Sequence, residues 1–202
     1  MNKPNTGADP RFQRSFEALI EAISALADAE ALPTLTIKRI ADAAGVSRPT
    51  FYQHAADVND LARKAAVVRL AGALTEPPDF TRLEAVDFAH VSAEFSQHLL
   101  PLLDHLESRR AFYRNVLDHA GSPDLFAELT SMMAARVNLE PFRSQGAVAA
   151  IDSHALSEVI TGGLMWRVVG WIPSDGARMA PDAKAREIGA LAASLICGSA
   201  TR

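Results

Sequence analysis

One cysteine in 202 residues, Cys197, leaves this chain no intramolecular disulfide and no multi-cysteine zinc site. Long apolar runs are missing too. No window approaches the roughly 18 to 20 uninterrupted apolar residues of a membrane span, and the apolar stretch Leu164 to Ile172 is broken by Arg167. The opening MNKPNTGADPR holds no apolar segment of a secretory signal. No stretch alternates apolar with polar residues, so strands are not expected, and nothing repeats at a fixed period. A Gly-rich phosphate loop, a G-x-S-x-G elbow and an H-E-x-x-H pair are all absent. The expectation is a cytoplasmic, soluble protein that is not an enzyme, with no membrane partner, no cofactor and no metal.

What is present is ordinary in amount and uneven in placement. Apolar residues make up 49% and charged residues 22%, enough for one sizeable core or a small module on a larger one. The net charge of −4 argues at first against nucleic acid. Residues 1–70, however, carry nine basic against eight acidic side chains, and 71–202 carry eleven against sixteen. A surface for nucleic acid must therefore be local and N-terminal.

Phe12, Phe16, Leu19, Ile20, Ile23 and Leu26 recur at spacings of three and four, which predicts a helix from about Arg11 to Ala31. Asp9-Pro10 is a start signal and Pro33 a stop. Thr36 has N-cap chemistry for a second helix, and Gly45 follows it where a left-handed residue turns the chain. Ser47 is the next N-cap candidate. Pro49 leaves two registers open, because proline disfavours a helical Arg48: either Ser47 caps, or Arg48 sits at the boundary with Pro49 first in the helix. A fourth helix over Val58 to Leu74 is expected to pack through Leu61, Ala65, Val68 and Leu74. Glu76-Pro77-Pro78-Asp79 marks a boundary.

Further helices are expected over Phe80 to Leu106 with a kink at Pro101, and over Arg109 to His119. Others follow over Asp124 to Leu139, Ala147 to Trp171 (stopped by Pro173-Ser174-Asp175-Gly176), and Pro181 to Cys197. The fold class is all-α.

Two short helices joined by a glycine turn, in "TIKRIADAAGVSRPTFYQH" at 36–54, form a helix-turn-helix unit. In DNA-binding versions the second helix enters the major groove. Arg48 can pair bidentately with guanine, and Thr50 can bond to a base or touch a thymine methyl. Ser47, Tyr52 and His54 can donate to phosphates, and Thr36 stands at a positive helix end.

With its long preceding helix and leucine-anchored fourth helix, this stretch resembles the DNA-binding domain of tetracycline-repressor (TetR) type regulators over about residues 11–65. The resemblance implies DNA contacts at Thr36, Ser47, Arg48, Thr50, Tyr52 and His54. Two positions depart from the family pattern. Ala55 replaces an aromatic, and Val58 replaces a phosphate-binding lysine, with Arg63 and Lys64 close by in sequence. Beyond residue 65 the likeness is architectural. Residues 1–10 are polar and expected to be disordered, and the resemblance implies a three-helix DNA-binding domain over 11–75 and a larger helical effector-binding and dimerisation domain over 79–202. The implied partners are double-stranded operator DNA, a small-molecule effector and a second copy of the chain.

In the larger domain, His90, Glu94 and His98 share one helical face, but spread over about 12 Å at 1.5 Å per residue they cannot converge on one metal ion. Phe88, Phe95, His98, Phe126, Met133 and Trp166 are candidates for an effector pocket. Val159, Gly163 and Trp166, with Leu191 and Leu195 of the last helix, are candidates for the dimer surface. Gly162, Gly163 and Gly170 suggest close approach by another helix, since glycine costs a helix about 1 kcal/mol relative to alanine. The expected function is a TetR-like regulator, a repressor that binds a palindromic operator and is released by an effector. The alternative is a helical ligand-binding or interaction protein with a degenerate N-terminal module.

Overall fold

The computed structural model describes residues 9–77, 87–137, 152–172 and 179–197. Among them are nine α-helices, one 3-10 turn and no strand. The helices are α1 (Pro10–Ala29), α2 (Ile37–Ala43), α3 (Arg48–His54), α4 (Val58–Ala73), α5 (Phe88–Ser108), α6 (Arg110–Ala120), α7 (Pro123–Ala134), α8 (Ser153–Trp171) and α9 (Pro181–Cys197). The 3-10 turn is Leu32–Thr34. The tail before Asp9, the stretch Phe80–Val86, the end of the helix expected to reach Leu139, its successor's start at Ala147, and the Pro173–Gly176 stop lie outside the described residues.

Local chemistry sets the N-terminal boundaries. The Asp9 carboxylate accepts from the Arg11 N–H at 2.8 Å, with Pro10 first in α1. Thr36 Oγ1 accepts from the Arg39 N–H at 3.3 Å, and Ser47 Oγ from the Thr50 N–H at 3.2 Å. Ser47 is thus the cap, Arg48 opens α3, and Pro49 follows it. Helix α2 ends as the sequence predicts. Gly45 takes φ +64, its N–H bonds to Asp42 O, and the Val46 N–H reaches back to Ala41 O at 2.9 Å. That pair of bonds is the Schellman arrangement, which needs a left-handed residue where the glycine stands.

The chain divides into two compact units, Met1–Gly72 with Arg109–Ser122, and Ala73–Ser108 with Pro123–Arg202. A division at 75–79 groups α6 with the larger domain, whereas its contacts group it with the first unit. Phe112, Tyr113, Val116 and Ala120 of α6 are buried there with Leu19, Ile23, Ile40, Phe51, Leu61 and Ala65. Polar bonds fasten α6 as well. The Asn115 amide donates to Ala27 O at 3.0 Å and Glu30 O at 2.5 Å and accepts from the Leu32 N–H at 2.9 Å. Those carbonyls, in the last turn of α1 and at its C-cap, have no further turn to satisfy them. Arg109 pairs with Asp28 at 3.2 Å, and the Arg69 guanidinium lies 5.1 Å from the Phe112 ring centre. Val68, expected to face the core, is 45% exposed, because Leu61, Ala62, Ala65, Ala66 and Leu70 form the buried stripe of α4.

In the second unit α5 and α9 lie against each other along their lengths. Val91 and Phe95 pack with Ile160, Ala192, Ala193 and Ile196. The close approach expected of the α8 glycines occurs elsewhere. A Cβ at Gly163 or Gly170 would meet nothing within 4 Å, and one at Gly162 only the Thr130 methyl at 3.6 Å. At Gly189 of α9 it would lie 2.1 Å from Ser96 Oγ and 2.5 Å from Ser92 O of α5. Gly189 is the glycine that lets two helices touch.

Candidate nucleic-acid interface

Helix α3 is seven residues long, and its side chains divide sharply. Phe51 is fully buried and His54 is 6% exposed, three positions apart on the inner face. Ser47, Arg48, Pro49, Tyr52 and Gln53 are exposed and Thr50 half-buried. The Ser47 and Thr50 hydroxyls are 2.8 Å apart, and Tyr52 stands edge-on to Phe51 at 5.7 Å. Thr36 is exposed at the head of α2. The structure therefore leaves five of the six expected contact residues open to an approaching surface. Gln53 joins them, although the set drawn from the sequence omits it. Its signal was chemical, since glutamine is the type that pairs bidentately with adenine.

His54 is the exception. Its ring lies against Phe12 at 4.1 Å and Phe16 at 5.6 Å between centres, and its Nε2 is 2.8 Å from Ser15 Oγ. It belongs to the seam between α3 and α1, not to the open face. A histidine among polar residues reads as a surface group. Only its three-residue spacing from Phe51 places it inside.

Charge on this unit is largely paired. Lys38 bridges Asp42 at 2.7 Å, and Arg39 grips both oxygens of Glu30 at 2.5 Å. The hydrogen bonds from Arg39 hold the Glu30 carboxyl below its usual pKa. Lys64 donates to His54 O at 2.6 Å and to Asp60 at 2.9 Å, and Arg63 lies 3.9 Å from Asp60. Both cations that follow Val58 thus have a carboxylate partner within the chain. Arg48 makes no ion pair among the described residues, so its five donors are open to a base or phosphate.

The residues expected at an effector pocket are spread out. Phe95 is buried in the α5–α8–α9 core, while Phe88 is 45% exposed. His98 is half-buried, with Nδ1 2.8 Å from Glu94 O. Phe126 meets Trp166 edge-on at 5.8 Å, and Met133 is half-buried. A solvent-open groove of about 540 Å³ lies on the first unit, along Phe16, Ile20 and Ser24 of α1 and Val68 and Arg69 of α4. Among the described residues no three histidine, cysteine or carboxylate side chains are placed to share a metal ion. No described helix is long and apolar enough to cross a membrane.

Four of the five expected dimer residues are exposed apolar side chains of α8 and α9. Val159 is 73%, Trp166 67%, Leu195 60% and Leu191 39% exposed, and Gly163 lies open between the first two.

Residues 19–65 match the profile of the bacterial regulatory proteins of the tetR family. No curated protein matches the sequence. Among solved structures, one assigned as a TetR-family transcriptional regulator from Mesorhizobium loti MAFF303099 is similar at TM-score 0.56 and 18% identity, over 92% of this chain and 96% of that one. The fatty acid degradation regulator FadR of Bacillus halodurans gives 0.53 at 14% identity, over 96% and 98%. The TetR-family regulator PfmR of Thermus thermophilus gives 0.50 at 16%, over 91% and 99%. Residues 19–65 are thus a tetR-family helix-turn-helix module, and the chain has the fold of a TetR-family transcriptional regulator.

Proposed function

We propose that the chain is a transcriptional repressor that binds a palindromic operator as a homodimer and is released by a small-molecule effector. The observation that carries this is the open face of α3, where Arg48, Thr50, Tyr52 and Gln53 stand outward while Phe51 and His54 fasten the other side. Arg48 and Gln53 read base edges in this reading, and Ser47, Thr36 and Tyr52 hold phosphates. One short helix reads too few base pairs to be selective. Two copies on half-sites about 34–36 Å apart meet that need, and the exposed α8–α9 surface supplies the contact between them. An effector in the helical domain acts by favouring a dimer whose two heads no longer match the grooves.

Selection of a duplex from a random library, followed by a salt titration, tests the reading. A regulator selects one near-palindrome and binds it with a steep salt slope. Arg48→Ala should then cost about 1–3 kcal/mol and relax preference at one base pair per half-site, whereas Tyr52→Phe weakens all sequences alike. Weak, sequence-blind association would favour a ligand-binding protein with a degenerate head.

A further inference from the structure

The recognition helix is fastened through its last residue. Ser15 has one hydroxyl proton and gives it to Phe12 O at 2.9 Å, so its oxygen accepts from His54 Nε2–H. The other ring nitrogen, Nδ1, is then unprotonated, and it is buried without a hydrogen-bond partner. Helix α4 presents the Lys64 ammonium, bound to the His54 carbonyl, with Asp60 held behind it by Lys64. Helix α1 presents two aromatic rings and the Ser15 hydroxyl. On α3 itself Arg48 and Tyr52 are exposed to solvent.

A proton arriving at Nδ1 has no acceptor there. It also creates a buried imidazolium beside a cation, and both effects oppose it. We infer that His54 is a positioning residue whose neutral ring seats α3 on α1, and that its protonation unseats the recognition helix and makes DNA binding acid-sensitive. This rests on the DNA-binding reading above.

Burial first, and the Lys64 charge second, hold the His54 pKa below its ordinary 6.5. The unseated form therefore takes up the proton first. Seating is at full strength above about pH 6.5 and is lost as the pH falls through the lower, seated value, by up to about tenfold per pH unit. A histidine that touched phosphate would do the opposite. Its pKa would rise, and binding would tighten in acid.

The test has two arms. In the free full-length protein, NMR follows the His54 ring and amide exchange across residues 48–54 from about pH 8 to 5. The expected result is a ring midpoint below 6.5, with protection of these amides falling in the same window. A midpoint at or above 6.5, or protection that ignores pH, overturns the inference without any DNA. In the second arm the probe is a duplex selected from a random library at about pH 7.5. Wild-type affinity should fall as the pH drops from about 6.5 to 5, by up to about tenfold per pH unit for each head, while His54→Gln and His54→Phe, whatever their starting affinity, should stay flat within about twofold. Affinity that rises in acid, or an equal loss in the variants (which retain His119), overturns it. If no duplex is selected, the DNA-binding reading fails, and the first arm alone still decides the seat.

Discussion

The two units of this chain are built from the same kind of helix and held together in different ways. The first uses named polar partners: side-chain caps at Asp9, Thr36, Ser47 and Asp57, a left-handed glycine, the Asn115 clamp and the Arg109–Asp28 pair. The second has polar partners of its own, the Asp87 and Asp152 caps and the Arg167–Glu187 and Lys184–Glu187 pairs, and adds a close surface fit. Helices α5 and α9 touch where Gly189 lacks a side chain, and α8 is apolar on its buried side through Ile160 and Val168 and on its open side through Val159 and Trp166. In the first unit these bonds fix the bounds of α1, α2 and α3 and the turn between the last two. The second unit leaves Val159, Trp166, Leu191 and Leu195 open to solvent.

Gly189→Val should have the largest effect on the second unit. Its Cβ has nowhere to go without moving the α5 backbone at Ser92, since the obstacle there is a carbonyl oxygen and not a flexible side chain. The expected cost is about 3 kcal/mol, the upper part of the overpacking range. It should fall on the second unit alone, with amide exchange of α2 and α3 unchanged. Loss of protection in both units together would show that they do not hold separate stabilities.

Asn115→Ala strikes the first unit instead. It removes two donors and one acceptor from the end of α1 and the turn after it, leaving carbonyls of Ala27 and Glu30 without that partner. About 2 kcal/mol is expected, at roughly 1 kcal/mol per net bond less what water restores. Exchange should rise first in α1 and α6, before α9. A denaturation midpoint unmoved by this change would mean that α6 is held by its apolar face alone.

Legibility in the sequence follows the same division. The capping residues Asp9, Thr36 and Ser47 and the glycine turn work within four residues, so a one-dimensional pattern contains the whole interaction. The open face of α3 was legible for the same reason. Asn115 was not. Its partners lie more than eighty positions away, and an asparagine in an amphipathic helix otherwise reads as a solvated residue. Gly189 was hidden by its neighbours. It stands in an alanine-rich helix, where glycine reads as a modest cost, while Gly162-Gly163 beside two tryptophans drew the packing argument to α8. His54 was misplaced because its type suits phosphate, although Phe51 three residues earlier already marked the inner face.

The smallest change in folding energy belongs to the substitution that says most about the second unit. At Gly163 a side chain meets nothing within 4 Å in its own chain. Replacing glycine by leucine in a helix should then stabilise the monomer by up to about 1 kcal/mol through propensity. The same leucine stands between Val159 and Trp166, in the middle of the exposed stripe proposed as the contact between copies. There it holds a second helix away from the backbone. Gly163→Leu should therefore melt no lower than wild type at concentrations where the protein is monomeric, yet sediment as a monomer where wild type sediments as a dimer. Operator affinity should fall with it, because two tethered heads bind far more tightly than one. A Gly163→Leu protein that still dimerises would move the interface off this stripe. A wild type that is monomeric at the concentrations where it binds operator would remove the need for one.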